Sequence, residues 1–170
     1  MGVSGDGDIN TVRRTYSQST GVKMNSTLVS GLDTTILKTQ EWLGELGKFG
    51  DSADPEDAYT ALRAVLQTLR DVLTVDEAAQ LGAVLPLLVR GLYYDGWDPS
   101  QVPCRVRNRE QFLNRVWARM RNDGLDPEDA CRAVFTLLQR RVDGVEIEAA
   151  RQAMHGSLQG LWNMDFARAW

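Results

Sequence analysis

A five-residue phrase occurs twice in this chain, and it constrains the fold more than any other feature. Asp54-Pro55-Glu56-Asp57-Ala58 recurs unchanged as Asp126-Pro127-Glu128-Asp129-Ala130. Downstream, Arg63-Ala64-Val65-Leu66 matches Arg132-Ala133-Val134-Phe135, and the register then runs on without a gap. Glu77 meets Glu146, Gly91-Leu92-Tyr93 meets Gly160-Leu161-Trp162, and Trp97 meets Phe166. The first copy carries three extra residues, Tyr59-Thr60-Ala61, a little under one helical turn. Self-similarity of this kind marks a supersecondary unit that buries its apolar face on a neighbouring copy. The chain therefore divides into a flexible extension over residues 1–31 and a single domain over 32–170. That domain holds a first unit at about 33–98 and a second at about 108–167.

Each unit reads as helix throughout. Asp54 suits an N-cap, Pro55 the first helical position, and Glu56 and Asp57 put negative charge at the positive end of the helix dipole. Ala58, Leu62, Val65, Leu66, Leu69 and Leu73 then recur at three and four, which makes one face apolar. Thr74 with Glu77 is a capping-box pattern that opens the next helix, and Pro86 breaks that helix, leaving a piece from about Leu87 to Tyr94. Asn108 with Gln111 resembles a second capping box, ahead of Phe112, Leu113, Val116, Trp117 and Met120. Asp33 caps a helix carrying Ile36, Leu37, Leu43 and Leu46. Gly96, Pro99 and Pro103 suit an extended linker between the units. No alternating strand pattern stands out. The fold expected is an all-α bundle built from two related helical repeats.

The residues now in place resemble a known family. Ala61-Leu62-Arg63-Ala64-Val65-Leu66, Leu85-Pro86 and Gly91-Leu92-Tyr93-Tyr94-Asp95-Gly96-Trp97-Asp98-Pro99 look like the bacterial "domain of unknown function 2267" family. Thr35-Ile36-Leu37-Lys38-Thr39-Gln40-Glu41-Trp42-Leu43 is similar to its opening helix. The resemblance covers about Leu32 to Trp162. It implies a helical bundle of two related halves and carries no catalytic residue to transfer. The chain departs from the pattern where the second copy has Met154-His155 in place of Leu-Pro, and the stretch before Met24 reads as an addition.

Composition narrows the chemistry. One His cannot supply a His-rich metal site, and two Cys make neither a four-thiolate zinc site nor a disulfide framework. No cofactor motif is present. Asp6-Gly7-Asp8-Ile9-Asn10 opens like a calcium loop, but Thr11 and Ser17 stand where Gly and Glu are required. His155 has no nucleophile motif beside it, Cys131 reads as a small core residue, and Cys104 as an exposed thiol in the linker. The two acidic clusters are explained by helix capping. The start of the chain lacks the basic-then-apolar pattern of a signal peptide, and the apolar run Ala78 to Val89 falls short of the roughly 20 residues a membrane span needs. A cytoplasmic protein that does not enter the membrane is expected.

Two surfaces remain as candidates. Tyr93, Tyr94 and Trp97, with Asp95 and Asp98, form an aromatic run suited to an interface. Neighbours on a helix diverge by about 100°, so Tyr93 and Tyr94 are expected to face different ways, one packing and the other reaching a partner. The bland alternative is that these rings seal the junction between the halves. Arg105, Arg107, Arg109, Arg115, Arg119 and Arg121, opposed only by Glu110, form a basic stretch that would suit an anion. Charge is divided unevenly. Residues 34–99 carry five basic and eleven acidic groups, net -6, whereas residues 100–170 carry eleven and nine, net +2. The halves would attract each other on that basis. The expectation is a non-enzymatic helical interaction module that binds a protein partner or a second copy of itself. Binding of an anion or a nucleic acid along Arg105–Arg121 is the weaker reading, because no nucleic-acid motif accompanies the charge.

Overall fold

The cap residues decide where the helices begin. In the computed structural model, which describes residues 30–48, 54–121, 124–142, 144–154 and 156–162, the elements run α1 (Ser30–Leu46), α2 (Pro55–Val72), α3 (Val75–Val84), α4 (Leu87–Tyr94), a 3-10 turn (Pro99–Gln101), α5 (Arg109–Met120), α6 (Pro127–Arg141), α7 (Gly144–Ala153) and α8 (Gly156–Gln159). The described residues contain helices and no strand. The 1–31 extension up to residue 29, the calcium-like Asp6–Asn10 run, His155, Phe166 and the last residues of the second unit lie outside the described residues.

Asp54 accepts a hydrogen bond from the Glu56 N–H (2.9 Å), and Asp126 accepts from Glu128 (2.8 Å) and Asp129 (3.0 Å). Each satisfies N–H groups that the first helical turn leaves without partners. Thr74 and Glu77 form the reciprocal capping box at the start of α3. Asn108 accepts from the Gln111 N–H (2.9 Å), but the Gln111 side chain reaches back one residue further, to the Arg107 N–H (3.0 Å). Asp33 does not cap its helix. Gly31 and Leu32 are already helical, α1 starts at Ser30, and Asp33 sits buried in the first turn, still at the positive end of the dipole.

Pro86 separates α3 from α4 as the missing N–H requires. The Arg90 guanidinium, returning from α4, donates to the Ala83 and Leu85 carbonyls (both 3.0 Å) that the break leaves open. Helix α7 ends at Ala153 with no proline in the sequence that follows it to α8. There Met154 is buried as Leu85 is, and its sulfur accepts from the Trp162 ring N–H (3.1 Å).

Helix α2 lies at the centre and packs against α1, α4, α5 and α6, while α3 packs against α7. Its Leu62, Val65, Leu66 and Leu69 are wholly excluded from water. Burying each side chain of this size stabilises the fold by about 1.5–3 kcal/mol. The later helices fill the same core with Cys131, Val134, Phe135 and Leu138 on α6, Ile147 and Ala150 on α7, then Leu158 and Trp162. Ion pairs join the halves, acid on the first and base on the second. Arg119 meets Asp71 (2.5 Å), and Arg141 meets Glu45 (2.6 Å), with Arg140 (3.7 Å) beside it.

The linker is more structured than its composition suggests. Asp98 caps the 3-10 turn by accepting from the Ser100 N–H (3.0 Å), and the Cys104 N–H donates to the Asp71 carbonyl (2.6 Å), which fastens the segment to the end of α2. No helix of the described residues is long and apolar enough to cross a membrane.

Gly82 matters for its missing side chain. A Cβ there would lie 2.6 Å from the Tyr94 Cζ atom, so Tyr94 can rest on α3 only over a glycine. Gly82→Ala is expected to push the half-buried Tyr94 ring outward. Alanine's gain in helix propensity, about 1 kcal/mol, offsets most of the lost packing. The net stability change should stay within about 1 kcal/mol, while Trp97 fluorescence shifts, because its ring centre lies 5.2 Å from that of Tyr94. An unchanged Trp97 spectrum would sink this account.

Candidate functional site

Two residues of each candidate surface border a single cleft. It has a volume of about 420 Å³ and is polar, with Asp95 and Asp98 from the aromatic run on one side and Arg115 and Arg119 from the basic stretch on the other. Gln67, Arg70 and Asp71 of α2 form its floor, and Cys104 lies at its edge.

The floor is a hydrogen-bonded network. Arg70 is 2% exposed, and its Nη1 donates to the carbonyls of Tyr93 (2.5 Å) and Asp95 (3.0 Å), while its Nε donates to Asp71 (2.8 Å). Gln67 adds donations to the Leu92 (3.0 Å) and Asp95 (3.4 Å) carbonyls. These are the carbonyls that the last turn of α4 leaves unpaired, so α2 caps α4 with a cation at the negative end of its dipole. Arg119 closes the network from α5, donating to Asp71 (2.5 Å) and to the Gln67 side-chain oxygen (3.3 Å). Asp71 thus accepts from two guanidiniums at once, an arrangement that holds α2 and α5 together.

The aromatic run behaves differently from expectation. Tyr93 is fully buried, so it cannot belong to an interaction surface, and Tyr94 turns inward as well. The Tyr93 hydroxyl donates to the Ala78 carbonyl (3.0 Å), the Tyr94 hydroxyl points at the same oxygen (3.5 Å), and the rings meet edge to face. The 100° divergence is real. Both rings still reach α3 because Gly82 opens space beneath the second. Burial, and then the neighbouring Tyr94 ring, push the Tyr93 phenol well above its ordinary titration range. Trp97 packs against this pair, and its indole N–H finds no acceptor among the described residues. The rings pack α4 onto α3 and belong to the same continuous core as Phe112, Phe135 and Trp162. Asp95 and Asp98 are exposed, and hydrogen bonds from Ser100 and Gln101 hold the Asp98 carboxyl below the usual range.

The basic stretch is divided. Arg109 pairs with Glu128 and Arg119 with Asp71, whereas Arg105, Arg107 and Arg115 are exposed and form no ion pair among the described residues. Cys104 is half-buried, its thiol facing the Gln101 carbonyl (3.5 Å). Cys131 is buried in the core, where desolvation pushes its thiol well up. Among the described residues, no group of three His, Cys, Asp or Glu side chains could hold a metal.

Gln67, Arg70 and Asp71 were not singled out from the sequence. Arg70 carried a signal nonetheless, since it falls four residues after Leu66 and three before Leu73, inside the apolar stripe. A charged side chain in that place must find buried partners.

Two comparisons bear on the chain. A family model described as an uncharacterized conserved protein (DUF2267) matches residues 39–161. No curated protein matches the sequence.

Proposed function

Starting from a chain that belongs to the DUF2267 family, we propose that it is a cytoplasmic, non-enzymatic helical module that associates with a second copy of itself. Its domain is made of two diverged copies of one unit. Three coincidences support the two-unit reading. The starts of α3 and α7, and of α4 and α8, fall at the same register as the sequence match, and α2 exceeds α6 by the three residues that the repeat comparison requires. Leu62, Leu66, Leu69, Leu85, Val89 and Tyr93 are buried, as are their counterparts Cys131, Phe135, Leu138, Met154, Leu158 and Trp162. Arg70 donates to the Tyr93 carbonyl, and Gln139, its counterpart, donates to that of Trp162 (3.2 Å).

One observation carries the self-association. Val84, Leu87 and Leu88 are 38%, 59% and 42% exposed at the α3–α4 corner, and Leu32 is 46% exposed one turn before Thr35, whose hydroxyl accepts from the Leu88 N–H (3.4 Å). Apolar side chains grouped in this way favour association. Light scattering over a concentration series should give a mass that rises towards the dimer, and Leu87→Asp should keep it at the monomer. A wild-type mass that stays monomeric at every concentration would refute this reading. Anion binding ranks second, because internal ion pairs already occupy two of its six arginines, Arg109 and Arg119.

A further inference from the structure

We propose that the charges at the contact between halves make it a selective interface, on which the first half accepts the second and rejects another copy of itself. The proposal rests on the two-unit reading above.

The charges at this contact reverse in sign from one side to the other. Leu46 and Met120 are the buried last residues of α1 and α5, and Trp42 and Val116 are buried one turn earlier in each. Glu45 and Arg119 therefore hold equivalent places. Asp71 lies two residues before Leu73, the C-cap of α2, and Arg140 lies two before Val142, the C-cap of α6. The Arg119–Asp71 and Arg140–Glu45 contacts are thus one contact viewed from its two sides, with both charges exchanged. Arg141, bonded to Glu45 through Nε (2.7 Å) and Nη2 (2.6 Å), strengthens the second of them.

The consequence follows from pairing like with like. Two first halves would set Glu45 against Asp71 twice, and two second halves would set Arg119 against Arg140 twice. The carboxylate side chains are only 18% and 13% exposed, so water and salt screen such repulsion weakly. The apolar stripes carry no sign: their counterparts differ in volume, as Leu66 and Phe135 do, but do not repel each other across a distance. Charge is the property of this interface that carries a sign, and juxtaposed like charges suppress wrong partners more strongly than correct pairs gain affinity.

The test uses two full-length variants that share Asp71→Ala and differ only at position 119. Both lose the in-chain pair equally. Asp71→Ala/Arg119→Asp gives the second half a carboxylate that attracts Arg140 of another second half, whereas Asp71→Ala/Arg119→Ala does not. Each is unfolded in urea, refolded at high concentration, diluted and analysed by native mass spectrometry. Dilution removes any association through the α3–α4 corner, which forms without unfolding, and retains dimers of like halves, which require it. The Arg119→Asp variant should retain at least about tenfold more dimer than the Arg119→Ala variant, and the excess should fall with salt. Equal dimer in both would overturn the charge selection while leaving the two-unit reading intact. No dimer in either would likewise overturn the charge selection, because an attractive pair would then not suffice to let like halves meet, and it would leave the two-unit reading, which rests on register and burial, untouched.

Discussion

Arg70→Ala is expected to destabilise the protein by about 3 kcal/mol, a large share of the stability of a domain this size. The guanidinium is buried, and it supplies hydrogen bonds to the Tyr93 and Asp95 carbonyls and to the Asp71 carboxylate. Its removal leaves the Tyr93 carbonyl without that donor and Asp71 with Arg119 as its remaining cation. A buried acceptor without a partner forfeits its full desolvation energy, which exceeds the net gain of the bond that was lost. Arg70→Met retains the stem and separates the two contributions, because packing survives while the donors do not. Urea denaturation of both variants should give losses of similar size. A loss below about 1 kcal/mol in Arg70→Met would mean that the hydrogen bonds are not what holds α4 to α2.

Phe135→Ala should cost about 3–5 kcal/mol, the range for deleting a buried aromatic ring. Phe135 is excluded from water, its ring stacks on Trp162 at 4.2 Å and 6°, and Phe112 of α5 lies beyond it at 6.2 Å. The contact is the only described stacked ring pair, and it anchors the chain after α8 to the core of the second half. The near-ultraviolet circular dichroism of Trp162 should weaken even under conditions where the variant stays folded. Phe135→Leu, which fills the position as Leu66 fills the equivalent one in the first half, should cost about 1.5 kcal/mol or less. If the leucine and alanine variants proved equally unstable, stacking would outweigh volume at this site.

The helix starts were legible because capping is local chemistry. An Asp, Pro and two acids in sequence specify a start wherever they stand, and Thr74 with Glu77 does so within four residues. Asp33 misled for the complementary reason: a good cap residue is equally at home in the first turn when the residues before it can also be helical. The inward turn of Tyr94 could not be read, because it depends on Gly82, twelve residues earlier on a different helix. The cleft was out of reach for the same reason. Its acids lie after α4, its bases on α5, and only the floor of α2 between them brings the two together. Arg70 is the exception, a charge set among leucines whose burial the periodicity already implied.

The bond from Cys104 to the end of α2 also shortens the path from α2 to α5 in the folded chain. It leaves only the three residues Arg105, Val106 and Arg107 between this contact and the cap of α5. Joined ends this close present the second half to the first at an effective concentration on the order of millimolar, and a shorter slack raises it further. A second copy of the chain must approach that concentration before it can compete for either half. Covalent connection thus favours the pairing within one chain over pairing between chains.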